Sequence, residues 1–220
     1  MKMKNYFCCI ILSFVCNAAS SQSLGTSSVT LGVSPYGYTF YNLFGDDKNK
    51  DLNFNYYFKK VMGANICYEI QSGGWSFLTE ASYTRGDFDY YKKKGESESL
   101  SYNMYQTDAL MNIALTQYVG GTLFGRNKRV QFPLHIGAGA EYVEGGPVHN
   151  VCVHVGAKLR LKFYISNNLG IYVGGTARAG LGWKTDKNPN KETNPEKEKD
   201  GEIGLFHLLC APDAGLVISF

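Results

Sequence analysis

Residues Val151 to Phe163 read VCVHVGAKLRLKF. In steps of two, Val151, Val153, Val155, Ala157, Leu159, Leu161 and Phe163 share one face, while His154, Lys158, Arg160 and Lys162 share the other. A period of two is that of a β-strand, whose successive side chains leave the pleat on opposite sides. The alternation runs unbroken for the whole stretch, well beyond the usual strand of about 5–6 residues. A strand that long, apolar on one side and basic on the other, separates a greasy medium from a polar one.

The same pattern recurs on both sides of this stretch. In GIYVGGTARAGLGW, Ile171, Val173, Ala177, Ala179, Leu181 and Trp183 alternate with Tyr172, Thr176 and Arg178. In VQFPLHIGAGAEY, Val130, Phe132, Leu134, Ile136 and Tyr142 stand against Gln131, His135 and Glu141. Further strands are expected near 27–41, 56–70, 75–90, 104–118 and 204–220, eight in all. The last one, DAGLVISF, sets Leu216, Ile218 and Phe220 on its apolar face and Asp213 on the other.

The connections are of two kinds. NLFGDDKNKDLN, KKKGESES, EGGPVHN and KTDKNPNKETNPEKEKDG follow the odd-numbered strands, and three of these four are densely charged. QSGG, GGTLFGRNKR and ISNNLG follow the even-numbered ones. Strands apolar outside and polar inside, with long polar loops at one end and short turns at the other, are the pattern of a transmembrane β-barrel. The Gly120 to Arg129 connection is longer than such a turn should be. In hydrocarbon every backbone group must be paired, so the sheet has to close on itself. The expected fold class is therefore all-β, a closed eight-stranded antiparallel transmembrane barrel. A soluble eight-stranded barrel of lipocalin type is the alternative; it would turn the apolar face inward.

The start of the chain fits this placement. Lys2 and Lys4 precede the apolar run Phe7 to Val15, and small residues follow in NAASSQS. That is the layout of a secretory signal peptide, with the run far short of the ~20 residues of a spanning helix. Cleavage is expected after Ser21, leaving 22–220 as a single barrel domain. A lipoprotein signal ending at Cys16 is disfavoured by the bulk of Val15. Cys8, Cys9 and Cys16 leave with the signal, and Cys67, Cys152 and Cys210 form an odd set that does not suit a disulfide-stapled domain. The net charge of +3 is too small to indicate nucleic acid. Aromatics make up 14% of the chain and glycines number 25, a composition suited to strands and tight turns.

By parity the inward-facing, lumen charges are Glu69, Glu80, Asp108, His135, Glu141, His154, Lys158, Arg160, Lys162, Arg178, His207 and Asp213. Opposing rows should meet, because unpaired charge in a confined lumen is costly. Glu141 and His154 in particular should approach each other. No reaction motif stands out. GGTLFGRNK has Arg126 and Asn127 where a phosphate loop needs Lys and Ser or Thr, and GAGAEY lacks a third glycine. Its glycines read better as room for bulky neighbours in a narrow lumen. His135, His154 and His207 do not share a height, so no metal site is expected. No catalytic residue and no cofactor are assigned.

The end Leu216, Ile218, Phe220 resembles the C-terminal signal of small eight-stranded outer-membrane barrel proteins of Gram-negative bacteria, which the barrel-assembly machinery reads as a terminal aromatic preceded by alternating apolar residues. The resemblance implies outer-membrane localisation, outer-membrane lipid as surroundings and that machinery as a partner in biogenesis. RVQFPLHIGAGAEYVEGG (Arg129 to Gly146), ISNNLGIYV and Phe206-His207 before the closing strand are similar to the TraO family of conjugative-transposon proteins, which implies a conjugation partner reached through the outer loops. The charged insertion Asp186 to Asp200 is extra to that family. A lipid A deacylase would present Ser, His and a carboxylate on the lipid face, where this chain is apolar. A diffusion pore is opposed by geometry, since eight strands leave room only for side chains. The expected function is thus a non-enzymatic barrel acting through surface loops in conjugative transfer or surface contact. A lipid A-modifying enzyme and an adhesion or envelope-integrity barrel are the alternatives.

Overall fold

The computed structural model describes residues 27–45, 54–72, 74–93, 109–124, 129–145, 148–185 and 202–220. The expected signal segment 1–21 and the candidate lumen residue Asp108 lie outside them. The strands are β1 (Ser27–Ser34), β2 (Tyr38–Gly45), β3 (Phe54–Ser72), β4 (Trp75–Lys93), β5 (Ala109–Phe124), β6 (Val130–Gly145), β7 (Val148–Tyr164), β8 (Leu169–Thr185) and β9 (Glu202–Ser219). All neighbours are antiparallel, and the sheet closes into a ring.

Nine strands make eight staves. β1 and β2 each pair with both β3 and β9, so they are the lower and upper halves of one wall element. The expected single strand over 27–41 is therefore interrupted. Pairing with β9 stops at Val33 opposite Ala214 and resumes at Tyr38 opposite Cys210. Between these points Pro35 faces a stretch of β9 containing Pro212. Neither has an N–H to give, so a continuous ladder is impossible there.

Other expected boundaries also move. β5 continues through Gly120 and Gly121 to Phe124, paired with Phe132, so the first half of the expected long turn from Gly120 to Arg129 is strand. The two backbones run so close here that a Cβ on Gly120 would stand 2.0 Å from the Leu134 carbonyl oxygen. Most of EGGPVHN, expected as an outer loop, is strand, because β6 runs to Gly145, which already pairs with Val148 of β7.

One rung of pairing runs from Ser28 through Glu69, Leu78, Tyr118, Gly137, Gly156, Arg178 and Leu209, then returns to the first stave at Thr39, well above its start. This stagger is what tilts the strands of a closed barrel. The ring closes at the seam where the Ser27 amide donates to Phe220. We call the end with Ser27 and Phe220 the lower end.

The outer face is a belt between two aromatic rings. Trp75, Phe77, Phe124, Phe163 and Phe220 are exposed near the lower end, and Tyr36, Tyr38, Tyr83 and Tyr142 towards the upper end. On β6, Phe132 and Tyr142 stand on these two rings. At about 3.3 Å per residue and a tilt of about 40°, they are roughly 25 Å apart along the axis, the height of the apolar band of an outer-membrane barrel. Between the rings lie exposed Leu31, Ile66, Ile136, Val153, Val155, Ile171 and Val173. Side chains from every wall fill the inside. Glycines make this possible: a Cβ on Gly137 would stand 2.7 Å from the Tyr118 ring, and one on Gly139 2.9 Å from His154 Nε2.

Candidate functional site

The lumen is built in tiers of alternating charge. Lowest is Glu69 on β3, whose Oε2 lies 2.6 Å from both Arg160 Nη2 and Lys162 Nζ of β7, on the opposite wall. Its Oε1 is 3.8 Å from His135 Nε2 and accepts from Gln71 at 3.1 Å. Arg160 also donates to Thr30 Oγ1 at 3.2 Å, and its guanidinium lies 5.9 Å from the centre of the Tyr172 ring.

One tier up the signs invert, and Lys158 sits between two carboxylates. Its Nζ is 2.5 Å from Glu80 Oε2, 2.8 Å from Asp213 Oδ2 and 3.0 Å from Thr176 Oγ1. Tyr172 and Asn65 also donate to Asp213 Oδ2, each at 3.2 Å, and Cys67 points its thiol at Glu80. Arg178 donates to Ser82 Oγ at 2.9 Å. The described lumen thus carries four acids, Glu69, Glu80, Glu141 and Asp213, and four bases, Lys158, Arg160, Lys162 and Arg178, all buried. Such charges are tolerable only where each has partners, since desolvation of a lone ion outweighs most other terms.

The third tier contains the arrangement nearest to chemistry. Glu141 Oε1 is 2.5 Å from His207 Nδ1, and His207 Nε2 is 2.9 Å from Thr39 Oγ1. Hydroxyl, imidazole and carboxylate in this order resemble a hydrolase triad. Two observations speak against that use. The Thr39 hydroxyl already donates to the Leu208 carbonyl at 3.0 Å, and Thr39, His207 and Glu141 are all buried. Beside and above them Tyr41, Phe58, Val61, Leu110, Val143, Leu205 and Leu209 form an apolar plug, with the Tyr41 and Phe58 rings 5.2 Å apart edge to face. Among the described residues no cluster of His, Cys, Asp or Glu converges in a way that could hold a metal ion.

Of the sequence-derived lumen positions, all but Asp108 are described and buried. Glu141 and His154 approach to 3.8 Å, but the nearer partner of Glu141 is His207, brought round by closure of the ring. His135 stands apart from both, hydrogen-bonded to Ser76 at 2.7 Å. Leu216, Ile218 and Phe220 face outward at the lower seam. Sequence reasoning passed over Thr39, Asn112, Thr116 and Asn65 as network members. Asn112 donates to Glu141 at 3.0 Å, and Thr116 lies 2.8 Å from His154. Thr39, Asn112 and Thr116 sit on the inward parity of their strands, which is the signal that would have found them.

The upper rim is uneven. β4 continues past Tyr83 to Lys93, and β2 and β3 reach Gly45 and Phe54, whereas β6 ends at Gly145 just past Tyr142. The connections 46–53, 94–108 and 186–201 all depart from this upper end.

No protein-family model matches the chain, and no curated protein matches it in sequence. Solved structures do match in shape. The outer membrane protein OprG of Pseudomonas aeruginosa superposes with a TM-score of 0.54 at 7% identity, covering 90% of this chain and 96% of that one. Neisserial surface protein A gives 0.46 at 10% identity, over 89% and 99%. The outer membrane protease OmpT of Escherichia coli gives 0.45 at 8%, over 90% and 98%. With its closed ring, apolar belt and aromatic rings, the chain has the fold of an outer-membrane β-barrel of Gram-negative bacteria.

Proposed function

We propose that this barrel is non-enzymatic and works through the surface of its upper end, which faces outside the cell, as an accessory in surface contact or conjugative transfer. The observation that carries this reading is the filled lumen. Glu69 clamped between Arg160 and Lys162, and Lys158 between Glu80 and Asp213, occupy the cross-section with buried ion pairs. A solute would have to break them, and a substrate would have to pass the Tyr41 and Phe58 plug to reach Thr39. The connections that depart from the upper end are polar in sequence, and Asp186 to Asp200 is the most charged of them. The conjugative arm rests on the similarity of Arg129 to Gly146 and Phe206-His207 to TraO proteins. Residues 1–21 serve as the export signal, and Leu216, Ile218 and Phe220 as the mark read by the assembly machinery.

The test is a deletion of residues 187–199 from the chromosomal copy, followed by assays of plasmid or transposon transfer frequency, cell-to-cell adhesion and lipid A mass. Loss of transfer or adhesion with unchanged lipid A supports the proposal. A changed lipid A mass on removal of the whole chain, with transfer and adhesion intact, would replace it with a lipid A-modifying enzyme.

A further inference from the structure

A polar group stands in the middle of the apolar belt. Gln117 is on the outward parity of β5 and is exposed. It pairs with Thr79 of β4, which lies halfway along the strand between Trp75 and Tyr83, the residues that β4 places on the lower and upper aromatic rings. Its other outward neighbours, Phe77, Ala81, Leu115, Val119, Ile136 and Ala138, are all apolar. The Thr79 hydroxyl donates to Gln117 Oε1 at 2.8 Å, while Gln117 Nε2 donates to no described residue. Turning the amide round would bond Nε2 to Thr79 and leave the oxygen unpaired instead. Either way, amide groups face hydrocarbon that offers them nothing, and that is costly.

The wall differs in shape on the two sides of Gln117. On the β4 side Phe77 and Tyr83 are large and exposed. On the β6 side the outward residues Ala138, Ala157, Ala177 and Ala179 are small, and with Gln117 and Ile136 they line a groove of about 660 Å³. Copies of one chain insert the same way up, so two of them can share only a two-fold axis along the membrane normal. Such an axis beside Gln117 sets β5 of one copy against β5 of the other, and β4 against β6. The ridge on each copy then faces the hollow on its neighbour. The two amides meet at the axis, and an amide, holding both donor and acceptor, is its own complement.

We propose that the face centred on Gln117 is a lateral interface at which a second copy of this chain docks within the membrane, the two Gln117 amides bonding to each other. Lipid does not answer the same need, because acyl chains carry no acceptor and headgroups lie beyond the aromatic rings. Association within lipid rests on close approach at small residues and on polar groups as glue, and this face combines the two. The interface forms whichever end of the barrel faces outside, so it stands apart from the function proposed above.

Folded protein carrying Asn190→Cys is labelled with a donor or an acceptor dye and placed in phospholipid vesicles, and energy transfer is followed as added lipid dilutes the protein. Transfer is expected to fall along a monomer–dimer curve. Gln117→Leu should raise the dissociation constant about tenfold, the effect of losing interstrand amide bonds in lipid. Ala157→Phe fills the hollow from the lipid side and should weaken the dimer at least as much, whereas Leu31→Phe, outward on β1 at a distant part of the wall, should leave the curve unchanged. Heat-modifiable migration confirms that each variant is folded. Transfer no higher than that of randomly placed monomers, or a parent-like curve from Gln117→Leu or from Ala157→Phe, would overturn the interface.

Discussion

Ser27 and Phe220 exchange both backbone hydrogen bonds, the Ser27 amide to the Phe220 carbonyl at 3.1 Å and the Phe220 amide to the Ser27 carbonyl at 2.9 Å. This pair is the bottom rung of the closing seam, and the Phe220 ring faces outward beside it. Replacing Phe220 with Asp removes the aromatic that we propose the assembly machinery reads and puts a carboxylate on the lower aromatic ring. Export should proceed while most of the heat-modifiable folded band is lost, and Phe220→Tyr should restore it. A normal folded band from the Asp variant would remove Phe220 from the assembly signal.

Glu69 is the sole carboxylate within ion-pair reach of both Arg160 and Lys162 among the described residues. Taking its charge away strands two cations in the lumen, and breaking a buried pair this way costs about 3–5 kcal/mol. Glu69→Gln should lower the unfolding free energy in lipid vesicles by that order. Lys162→Met should cost less, because Arg160 still neutralises Glu69. Urea titration compares them, and equal effects would mean that the cations are solvated by something other than Glu69.

Gly215 and Gly32 face each other across the same seam. A Cβ on Gly215 would stand 1.9 Å from the Leu31 carbonyl oxygen, backbone that cannot swing aside. Gly215→Ala is therefore expected to destabilise by about 1–3 kcal/mol, as overpacking does. Gly175 is a built-in control: its nearest neighbour would be 3.6 Å from a Cβ, so Gly175→Ala should stay within about 0.5 kcal/mol. If the two variants melt together, the seam is looser than the structure has it.

The period of two carried the outline of the fold and the facing of the lumen residues, because in a barrel parity alone decides between lipid and interior. Partners were another matter. Glu69 and Arg160 are 91 positions apart in sequence, and they meet only because of the stagger with which the rungs climb the wall. For the same reason the sequence paired Glu141 with His154 across a hairpin and passed over His207, which closure of the ring brings to 2.5 Å. The break at Pro35 was legible in principle, since proline cannot continue a central ladder, yet its alignment with Pro212 follows from register. The extension of β5 through Gly120 and Gly121 was hidden by the turn propensity of glycine, which close packing against Leu134 overrides. A bulge in β3, where Lys60 and Val61 together stand against Gly86, left no trace in the alternation, because a charged residue at a left-handed position looks like any loop-proximal lysine.

Cys67 and Cys152 are buried in the lumen and Cys210 is exposed on the outer face, all as free thiols. In the folded barrel an impermeant maleimide should label none of them: Cys67 and Cys152 are enclosed by protein, and Cys210 is turned towards lipid. All three should react after denaturation without reductant. Detection of a Cys67 to Cys152 disulfide would require a different strand arrangement, since bonded cysteines need Cα atoms within about 7 Å.

The proposed function stands on the upper end facing outside. Residues 186–201 join β8 and β9 at that end, so a cysteine introduced at Asn190 reports its side of the membrane. Intact cells carrying Asn190→Cys are treated with an impermeant maleimide, and the labelled fraction is compared with that of cells whose outer membrane has been broken. The expected result is full labelling on intact cells. Labelling that appears only after the membrane is broken would place the charged connections in the periplasm and contradict action at the cell surface.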